Sequence, residues 1–267
     1  MSSRTWTALA AAWAIFMAAP VGAAEVEHAL SNGATLITDE ADEVLTDRAA
    51  LDEISAQSQG EPDPTLEAYW SNPEFEVYFN HEAVGYVEMD DWDELDVNDL
   101  WESYVEGSKE QSKLFGYQIR PLRWVVEPTL DRKSAVAYYA LEVQFGEEEP
   151  LINLVVYDFG RYGYEEMTLV QSSGAFPAAR AGGIATRIAA AYEFGPESDY
   201  GDFTEGDTIA AMGAGGLVAA ALGVKFGKGI LAIALVFLKK FWFIFLVIPA
   251  AIWKFFTGRS KEAEAET

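Results

Sequence analysis

The charges of this chain are divided between two regions of opposite character. From Glu25 to Asp207 the sequence contains 40 acidic and 10 basic residues, a formal charge of −30. From Thr208 to Lys261 it contains no Asp or Glu, and seven lysines and arginines lie among long apolar runs. Carboxylates need water, whereas apolar runs of this length are typical of membrane segments. The division therefore predicts an acidic head in water and a membrane-inserted tail.

The N terminus has the pattern of a secretory signal peptide. Arg4 supplies a positive charge, residues 9–19 form an apolar run, and Pro20 ends that run. The small residues at 21–23 are those that signal peptidase requires. We expect residues 1–23 to be a signal peptide, which would place the head outside the cytoplasm. An uncleaved N-terminal anchor is the alternative.

The tail is predicted to be a membrane anchor with two helical stretches. The predicted bounds are 208–257 for the anchor, 208–224 and 229–256 for the two stretches, and 258–267 for a polar tail. Placing Lys239 and Lys240 at the bilayer centre would cost roughly 5–7 kcal/mol, which argues against one helix centred on them. Two arrangements stay open: a hairpin in which residues 209–224 and 241–256 cross and residues 225–240 lie along the cytoplasmic face, or a single crossing by residues 241–256.

Small residues recur at every fourth position of the first stretch, at Gly215, Ala219 and Gly223. Such a face lets two helices approach closely in lipid. We therefore expect it to favour a homo-oligomer or contact with another envelope protein. The alternative is that Gly and Ala merely keep a surface helix flexible.

Composition excludes several classes of chemistry. There is no cysteine, so disulfides, thiol catalysis and Cys-based metal sites are excluded. With only His28 and His81, a Ser-His-Asp site or a multi-histidine zinc site is disfavoured, and we expect no metal or cofactor. A head of this charge repels phosphate, so nucleic acid is not an expected partner. A salt-adapted source organism would also explain the acidity.

The head is predicted to be α+β. It divides into a polar acidic N-terminal segment at 25–60 and a folded part at 61–207. Strands joined by short turn-rich links must run antiparallel, so we expect an antiparallel sheet with two or three packed helices, plus the C-terminal apolar helical membrane anchor. The predicted strands are 34–38, 75–79, 84–89, 117–126, 135–145, 151–159 and 164–171, and the predicted helices are 41–57, 97–115 and 177–194. The clearest element is the helix at 97–115, with Asp96 as its N-cap and Gly116 as its stop.

The densest carboxylate cluster is Asp90, Asp91, Asp93, Glu94 and Asp96. Acidic residues ahead of a helix complement its positive N-terminal end, which is the interpretation we favour. Calcium binding is an alternative, but the EF-hand pattern fails, because Leu95 stands where a ligand belongs. Catalysis by Asp90 or Asp91 is a further alternative.

Arg161 lies between Gly160 and Gly163 in a tight connection. It could clamp a carboxylate or phosphate, but such an arginine more often pairs with a nearby acid and fixes the turn. Asp202 belongs to the acidic segment 200–207 that joins the head to the first apolar stretch, where its acids could cap the following helix.

Several of these segments, taken in order, resemble a bacterial family of predicted membrane-anchored proteins, domain of unknown function 2167. The matching residues are Gly85-Tyr86-Val87, Asp90-Asp91, Leu95-Asp96, Glu106-Gly107, Asn153, Gly160-Arg161, Gly163, Tyr200, Asp202-Phe203, Asp207 and Ala210-Ala211. The likeness covers roughly residues 60–261. The resemblance implies a signal peptide and anchoring, but no chemistry.

The sequence thus favours a membrane-anchored extracytoplasmic protein of the bacterial inner membrane, acting as a non-catalytic binding or scaffolding module. One alternative is an envelope hydrolase that uses carboxylates from Asp90, Asp91 and Asp202 with Arg161. The other is a helical oligomer that forms a pore through the small-residue face.

Overall fold

A computed structural model describes residues 24–59 and 61–223 of the chain. These residues form an α+β structure with two antiparallel sheets and four α-helices, which confirms the predicted class. The strands are β1 Glu25–Ala29, β2 Thr35–Asp39, β3 Glu43–Leu45, β4 Leu66–Ser71, β5 Glu76–Glu82, β6 Ile119–Asp131, β7 Val136–Phe145, β8 Leu151–Phe159, β9 Tyr164–Ser172 and β10 Tyr192–Glu193. The helices are α1 Arg48–Gln59, α2 Val97–Phe115, α3 Ala181–Ala190 and α4 Ala214–Ala221, with 3-10 helices at Asp90–Glu94, Ala178–Arg180 and Tyr200–Asp202.

The larger sheet has seven strands in the order β3-β4-β5-β9-β8-β7-β6, and the smaller one has the order β1-β2-β10. Every pair of neighbouring strands is antiparallel. This agrees with the short turn-rich links between β6, β7, β8 and β9, which are too short for a parallel crossover.

The seven-stranded sheet is buried on both faces. On β8, Leu154 and Val156 contribute to a core shared with α3 and the small sheet, whereas Val155 and Tyr157 contribute to a second core shared with α2 and α4. A strand covered on both faces has an apolar residue at almost every position. That explains why β8 is apolar in sequence along most of its length.

The helix that the sequence predicts most clearly has the predicted bounds in the structure. Helix α2 runs from Val97 to Phe115, and the Asp96 side chain accepts hydrogen bonds from the backbone N–H groups of Asn98 and Asp99. Gly116 ends it in the left-handed region, with φ of +75°. The cap and stop signals of the sequence therefore act as expected.

Three predicted elements differ in the structure. Residues 84–89 are not a strand; Tyr86 makes only an isolated bridge with Ile209, and Gly85 has φ of +94°. The predicted helix at 41–57 starts at Arg48, because residues 43–45 pair with β4 as β3. The predicted helix at 177–194 ends at Ala190, and the next residues pair with β2 as β10. Tertiary pairing thus overrides local helical periodicity at both helices.

The predicted boundary near residue 60 does not separate two structural units. Strands β1 and β2 cover the large sheet together with β10, and β3 is its edge strand. The acidic segment 25–60 is therefore part of the head. Its strands were hard to predict because their outward residues are charged and the runs are only three to five residues long.

The described part of the first apolar stretch packs into the head rather than standing apart from it. Helix α4 has eight residues, and Ala214, Leu217, Val218 and Ala219 lie in the second core. The segment is held by backbone hydrogen bonds from Ala214 N to Glu88 O and from Tyr86 N to Thr208 O, each 2.8 Å. The prediction that 208–224 forms a membrane helix is corrected for residues 208–223.

Within residues 24–59 and 61–223, no helix combines the length and the apolar character needed to cross a membrane. The second predicted membrane stretch at 229–256, the polar tail and the signal peptide at 1–23 lie outside the described residues.

Candidate functional site

Asp91 is a helix cap, and the helix it caps is α4. Its Oδ1 accepts a hydrogen bond from Gly215 N at 2.9 Å, and its Oδ2 accepts one from Gly216 N at 2.8 Å. The first N–H groups of a helix lack intrahelical partners, and an anion there is favoured by the helix dipole. The helix-start interpretation is therefore confirmed for Asp96, which caps the following helix α2, whereas Asp91 instead caps the distant helix α4.

The small-residue face of α4 is occupied within the chain. Gly215 and Ala219 are buried, and a side chain added at Gly215 would place its Cβ 2.7 Å from the carbonyl oxygen of Asp91. Gly223 follows the helix with φ of +76°. The small residues let α4 approach the 3-10 helix at Asp90–Glu94, so in this structure the face is not open to a second helix.

Arg161 fixes a turn, as its favoured interpretation predicted. Its Nε and Nη2 donate to Asp207 at 2.8 and 3.0 Å, and Nη2 also donates to Thr204 Oγ1 at 2.8 Å. The guanidinium holds the pKa of Asp207 well below its usual range, at about 2. The backbone N–H of Arg161 donates to Ser198 O at 2.8 Å, so this turn also positions the segment that carries Ser198.

Of the other two predicted residues, Asp202 adds to the rise that Asp207 chiefly causes in the pKa of Arg161, but its side-chain hydrogen bond goes elsewhere. The Asp202 side chain accepts a hydrogen bond from Asp199 N at 3.1 Å in a capping box at Tyr200–Asp202. Asp90 is exposed at the start of its 3-10 helix. Asp91, Arg161 and Asp202 therefore each have a structural partner, and the carboxylate pair expected for a hydrolase is not assembled from them.

A different group of ionisable residues lies side by side on the large sheet. His81 on β5 is directly opposite Glu165 on β9, and Glu165 is directly opposite Asp158 on β8. His81 Nδ1 lies 3.3 Å from Glu165 Oε2. We call these three side chains the buried ionisable row. The Glu165 side chain is 0% exposed and that of His81 is 23% exposed.

Burial dominates the electrostatics of the two carboxylates in this row. It raises the pKa of Glu165 to about 7, an effect that the His81 imidazole partly offsets. Burial also raises the pKa of Asp158, and the negative charges of Glu165 and Asp199 add to that rise. The pKa of His81 is raised, chiefly because the Glu165 carboxylate beside Nδ1 stabilises the protonated ring. Glu165 thus titrates near neutral pH beside the imidazole, and burial favours the protonated form of Asp158 as well.

Residues of the small sheet complete the surroundings of the row. The Tyr192 hydroxyl on β10 lies close enough to Glu165 to lower the pKa of that carboxyl. The same hydroxyl accepts a hydrogen bond from Asn32 Nδ2 at 2.9 Å. Asn32 Oδ1 in turn accepts from Ala34 N at 3.0 Å, which fixes the amide orientation. Among the described residues, neither Glu165 oxygen makes a well-aligned hydrogen bond. Buried carboxylates left in this condition are unusual outside functional sites.

A small open pocket of about 60 Å³ adjoins the row. It is lined by Asn32, Ala34, His81, Tyr162, Gly163, Tyr192, Phe194, Gly195 and Ser198. Nδ1 of His81 is buried against Glu165, so the exposed part of the ring belongs to its other edge, which lines the pocket. His81 therefore lies between the pocket and the buried carboxylate of Glu165.

Two glycines allow the pocket walls to meet. A Cβ at Gly195 would lie 2.7 Å from the carbonyl oxygen of Gly33, and one at Gly163 would overlap the backbone of Glu82. The backbone segments approach closely at both places, which only glycine permits. This joins the β1–β2 turn, the end of β5 and the loop after β10 around one opening.

The buried ionisable row could have been found from strand periodicity. Glu165 is in phase with Met167 and Leu169, and Asp158 is in phase with Val156, all on the face that packs on the first core. A carboxylate at a core position of an apolar strand is an informative exception. What sequence could not give was the pairing of β9 with β5, which brings His81 beside Glu165.

Comparison with known proteins gives a family match and weak similarity to solved structures. None of the curated proteins compared matches this sequence. The solution structure of cyanobacterial PsbP (CyanoP) from Synechocystis sp. PCC 6803 is similar with a TM-score of 0.39 and 10% identity, over 66% of this chain and 96% of that one. That similarity is too low to carry a functional argument. The model of the protein family DUF2167, described as a protein of unknown function, matches residues 20–250, and the chain therefore belongs to this family.

Proposed function

We propose that this protein is a membrane-anchored, extracytoplasmic binding module of the bacterial envelope, with the pocket beside His81 as its ligand site. The anchoring half of the proposal is supported by the signal-like residues 1–23 and by the apolar stretch at 229–256. The binding half is supported by the buried ionisable row and its pocket.

The observation that carries the binding proposal is the 3.3 Å contact between His81 Nδ1 and the wholly buried Glu165. Burying a carboxylate is costly unless it is paired and hydrogen-bonded. Here Glu165 lies beneath the pocket, and the partly exposed imidazole of His81 lies between the carboxylate and the pocket. Such an arrangement is typical of a ligand site, because it holds a polarised, proton-exchanging group ready at a concave surface.

The two alternatives from the sequence lose their main support. Asp91 is engaged with α4 and Arg161 with Asp207, so the hydrolase would need other carboxylates. The pore would need the face of Gly215 and Ala219, which is buried in the head. Self-association and contact with another envelope protein are proposed instead through residues 229–256 and the membrane.

The anchoring proposal is tested by protease accessibility in spheroplasts. One epitope tag replaces the exposed turn at Glu147–Glu149, and another follows Thr267. Cleavage of the head tag alone supports a single crossing, and cleavage of both supports an extracytoplasmic C terminus. Protection of the head tag would overturn the extracytoplasmic placement.

The binding proposal is tested by closing the pocket. Ser198 lines it, and its backbone rather than its side chain bonds to Arg161. Ser198→Trp should fill the opening, whereas Ser134→Trp, at an exposed turn between β6 and β7, is the matched control. Saturation-transfer NMR with a panel of small amines, carboxylates and sugars should show ligands of the wild type and of Ser134→Trp that Ser198→Trp does not bind. A panel without any such ligand would count against the pocket.

A further inference from the structure

We infer that the pocket beside His81 binds a protonated primary amine, and that the buried ionisable row releases a proton to solvent when the amine enters. This inference rests on the proposed binding function and assigns the ligand's chemical class. The same chemistry would come from a free amine or from the headgroup of an aminophospholipid.

The walls of the pocket favour a compact cation. Three of its lining residues, Tyr162, Tyr192 and Phe194, are aromatic. An aromatic face attracts an ammonium group, and the attraction grows where water is excluded. No lysine or arginine lines the opening. The adjacent cation, Arg161, lies 5.0 Å from the centre of the Tyr162 ring, but Asp207 already balances its charge.

The groups in and around the row include more acids than bases, which favours the binding of a second positive charge. Glu165 and Asp158 are two acids, and His81 is one base. The other groups that shift the pKa values of His81 and Glu165 are Glu67 on β4, Glu82 on β5 and Tyr192 on β10. Asp199 contributes to the shift in the pKa of Asp158. All of these are acids or a tyrosine. One imidazolium therefore cannot neutralise the site, and bound protons supply the rest of the positive charge.

An entering ammonium would replace such a proton. A positive charge a few ångströms away favours the ionised form of a carboxylic acid. The exchange balances: R–NH3⁺ enters, the row loses one H⁺ to solvent, and no covalent bond in the ligand changes. The pKa of Glu165, which burial raises to about 7, places this exchange near neutral pH. Affinity for the amine should consequently rise with pH.

An organic ammonium fits better than a metal ion. A pocket of about 60 Å³ has room for a CH2–NH3⁺ group and little more. In the part of the chain that the structure describes, no group of three or more His, Cys, Asp or Glu side chains is arranged to hold a metal. A hard cation needs several such oxygen ligands, whereas an ammonium is satisfied by a few acceptors and ring faces.

The test is calorimetric titration of the full chain in detergent with ethanolamine, with acetate as the anionic control. Titrations in phosphate and in MOPS at the same pH give the number of protons released, because the two buffers differ in ionisation heat. We expect ethanolamine to bind with proton release, and its affinity to increase by at most about tenfold per pH unit between pH 6 and 8. Acetate should not bind.

Two variants separate the row from the pocket. Glu165→Gln keeps the side-chain shape, so it should weaken binding and abolish proton release. Glu193→Gln, at an exposed neighbour of Tyr192, is its matched control and should behave as wild type. Ser198→Trp leaves the row intact and should abolish binding. These three results together support the inference.

Other outcomes overturn the inference in distinguishable ways. Amine binding that persists in Ser198→Trp, or that occurs without proton release, places the amine elsewhere. If acetate or a sugar binds and Ser198→Trp blocks it, the pocket function stands and the amine assignment falls. Nanodiscs containing phosphatidylethanolamine or phosphatidylglycerol identify the source: binding to the former supports a lipid amine, and binding to free ethanolamine alone supports a soluble one. Binding to neither amine overturns the inference.

Discussion

His81 and Glu165 occupy directly opposite positions on β5 and β9, with His81 Nδ1 3.3 Å from Glu165 Oε2. On the other side of Glu165, Asp158 takes the matching position on β8. Three ionisable groups thus lie side by side near the ends of three neighbouring strands, on the face that carries the first core. We expect this pairing to make the stability of the head depend on pH.

Glu165→Gln should remove much of the decline in stability that we expect between pH 5 and 8. The folded-state pKa of Glu165 is raised from 4.5 to about 7, so the folded state binds more protons than the unfolded state in that window, and stability falls as pH rises. The rise corresponds to roughly 3 kcal/mol. The pKa of His81 is also raised, so its contribution is present below its ordinary pKa and is lost at higher pH, in the same direction.

The measurement is urea denaturation of wild type and Glu165→Gln at several pH values. Repulsion within the acidic head also grows with pH, so Glu193→Gln serves as a control that changes net charge equally. A wild type that gains stability from pH 5 to 8 would contradict the burial argument, as would an equal decline in all three proteins.

Asp91→Ala should destabilise the head by about 0.5–2 kcal/mol, because two N–H groups at the start of α4 lose their acceptor. The comparison variant is Asp93→Ala in the same 3-10 helix. Asp93 is 83% exposed and bonds Arg132 at 3.1 Å, and such surface pairs contribute at most about 1 kcal/mol. Chemical denaturation should give Asp91→Ala a clearly lower free energy of unfolding than Asp93→Ala. Equal free energies of unfolding would mean that the cap is unimportant.

Gly215→Ala should destabilise the head, by about 1–3 kcal/mol, since the new Cβ would lie 2.7 Å from the carbonyl oxygen of Asp91. Gly183→Ala provides the opposite case in α3, where nothing lies within 4 Å of the added methyl group. Ala is favoured over Gly in a helix by about 0.5–1 kcal/mol, so this variant should be slightly more stable. If both variants shifted the melting temperature in the same direction, the close approach of α4 to Asp91 would be refuted.

Asp207→Asn should flatten the loss of stability at acid pH. The folded-state pKa of Asp207 is lowered to about 2 by Arg161, so its contribution is present above the ordinary value of 3.8 and is lost as pH falls toward 2. Melting temperatures between pH 2 and 5 should fall more steeply in wild type than in Asp207→Asn. Asp90→Asn, at an exposed position, should follow the wild-type curve.

Much of the fold was readable from local patterns. Helix α2 has its predicted bounds because Asp96, a 3.6-residue apolar stripe and Gly116 act over one or two turns. Strands β7, β8 and β9 were found because their apolar runs are long and bounded by turn residues. The antiparallel arrangement followed from link length alone. The role of Arg161 in its turn was likewise inferred from its flanking glycines.

The sequence by itself thus determined the class of the fold, the acidity of the head and the elements whose signals are local. Tertiary structure alone decided that Asp91 caps a helix 124 residues later, that α4 is buried in the head, and that His81, Glu165 and Asp158 share one row. The reason is physical: caps and periodicity depend on neighbours along the chain. Strand pairing and close helix contact instead depend on which distant surfaces bury each other.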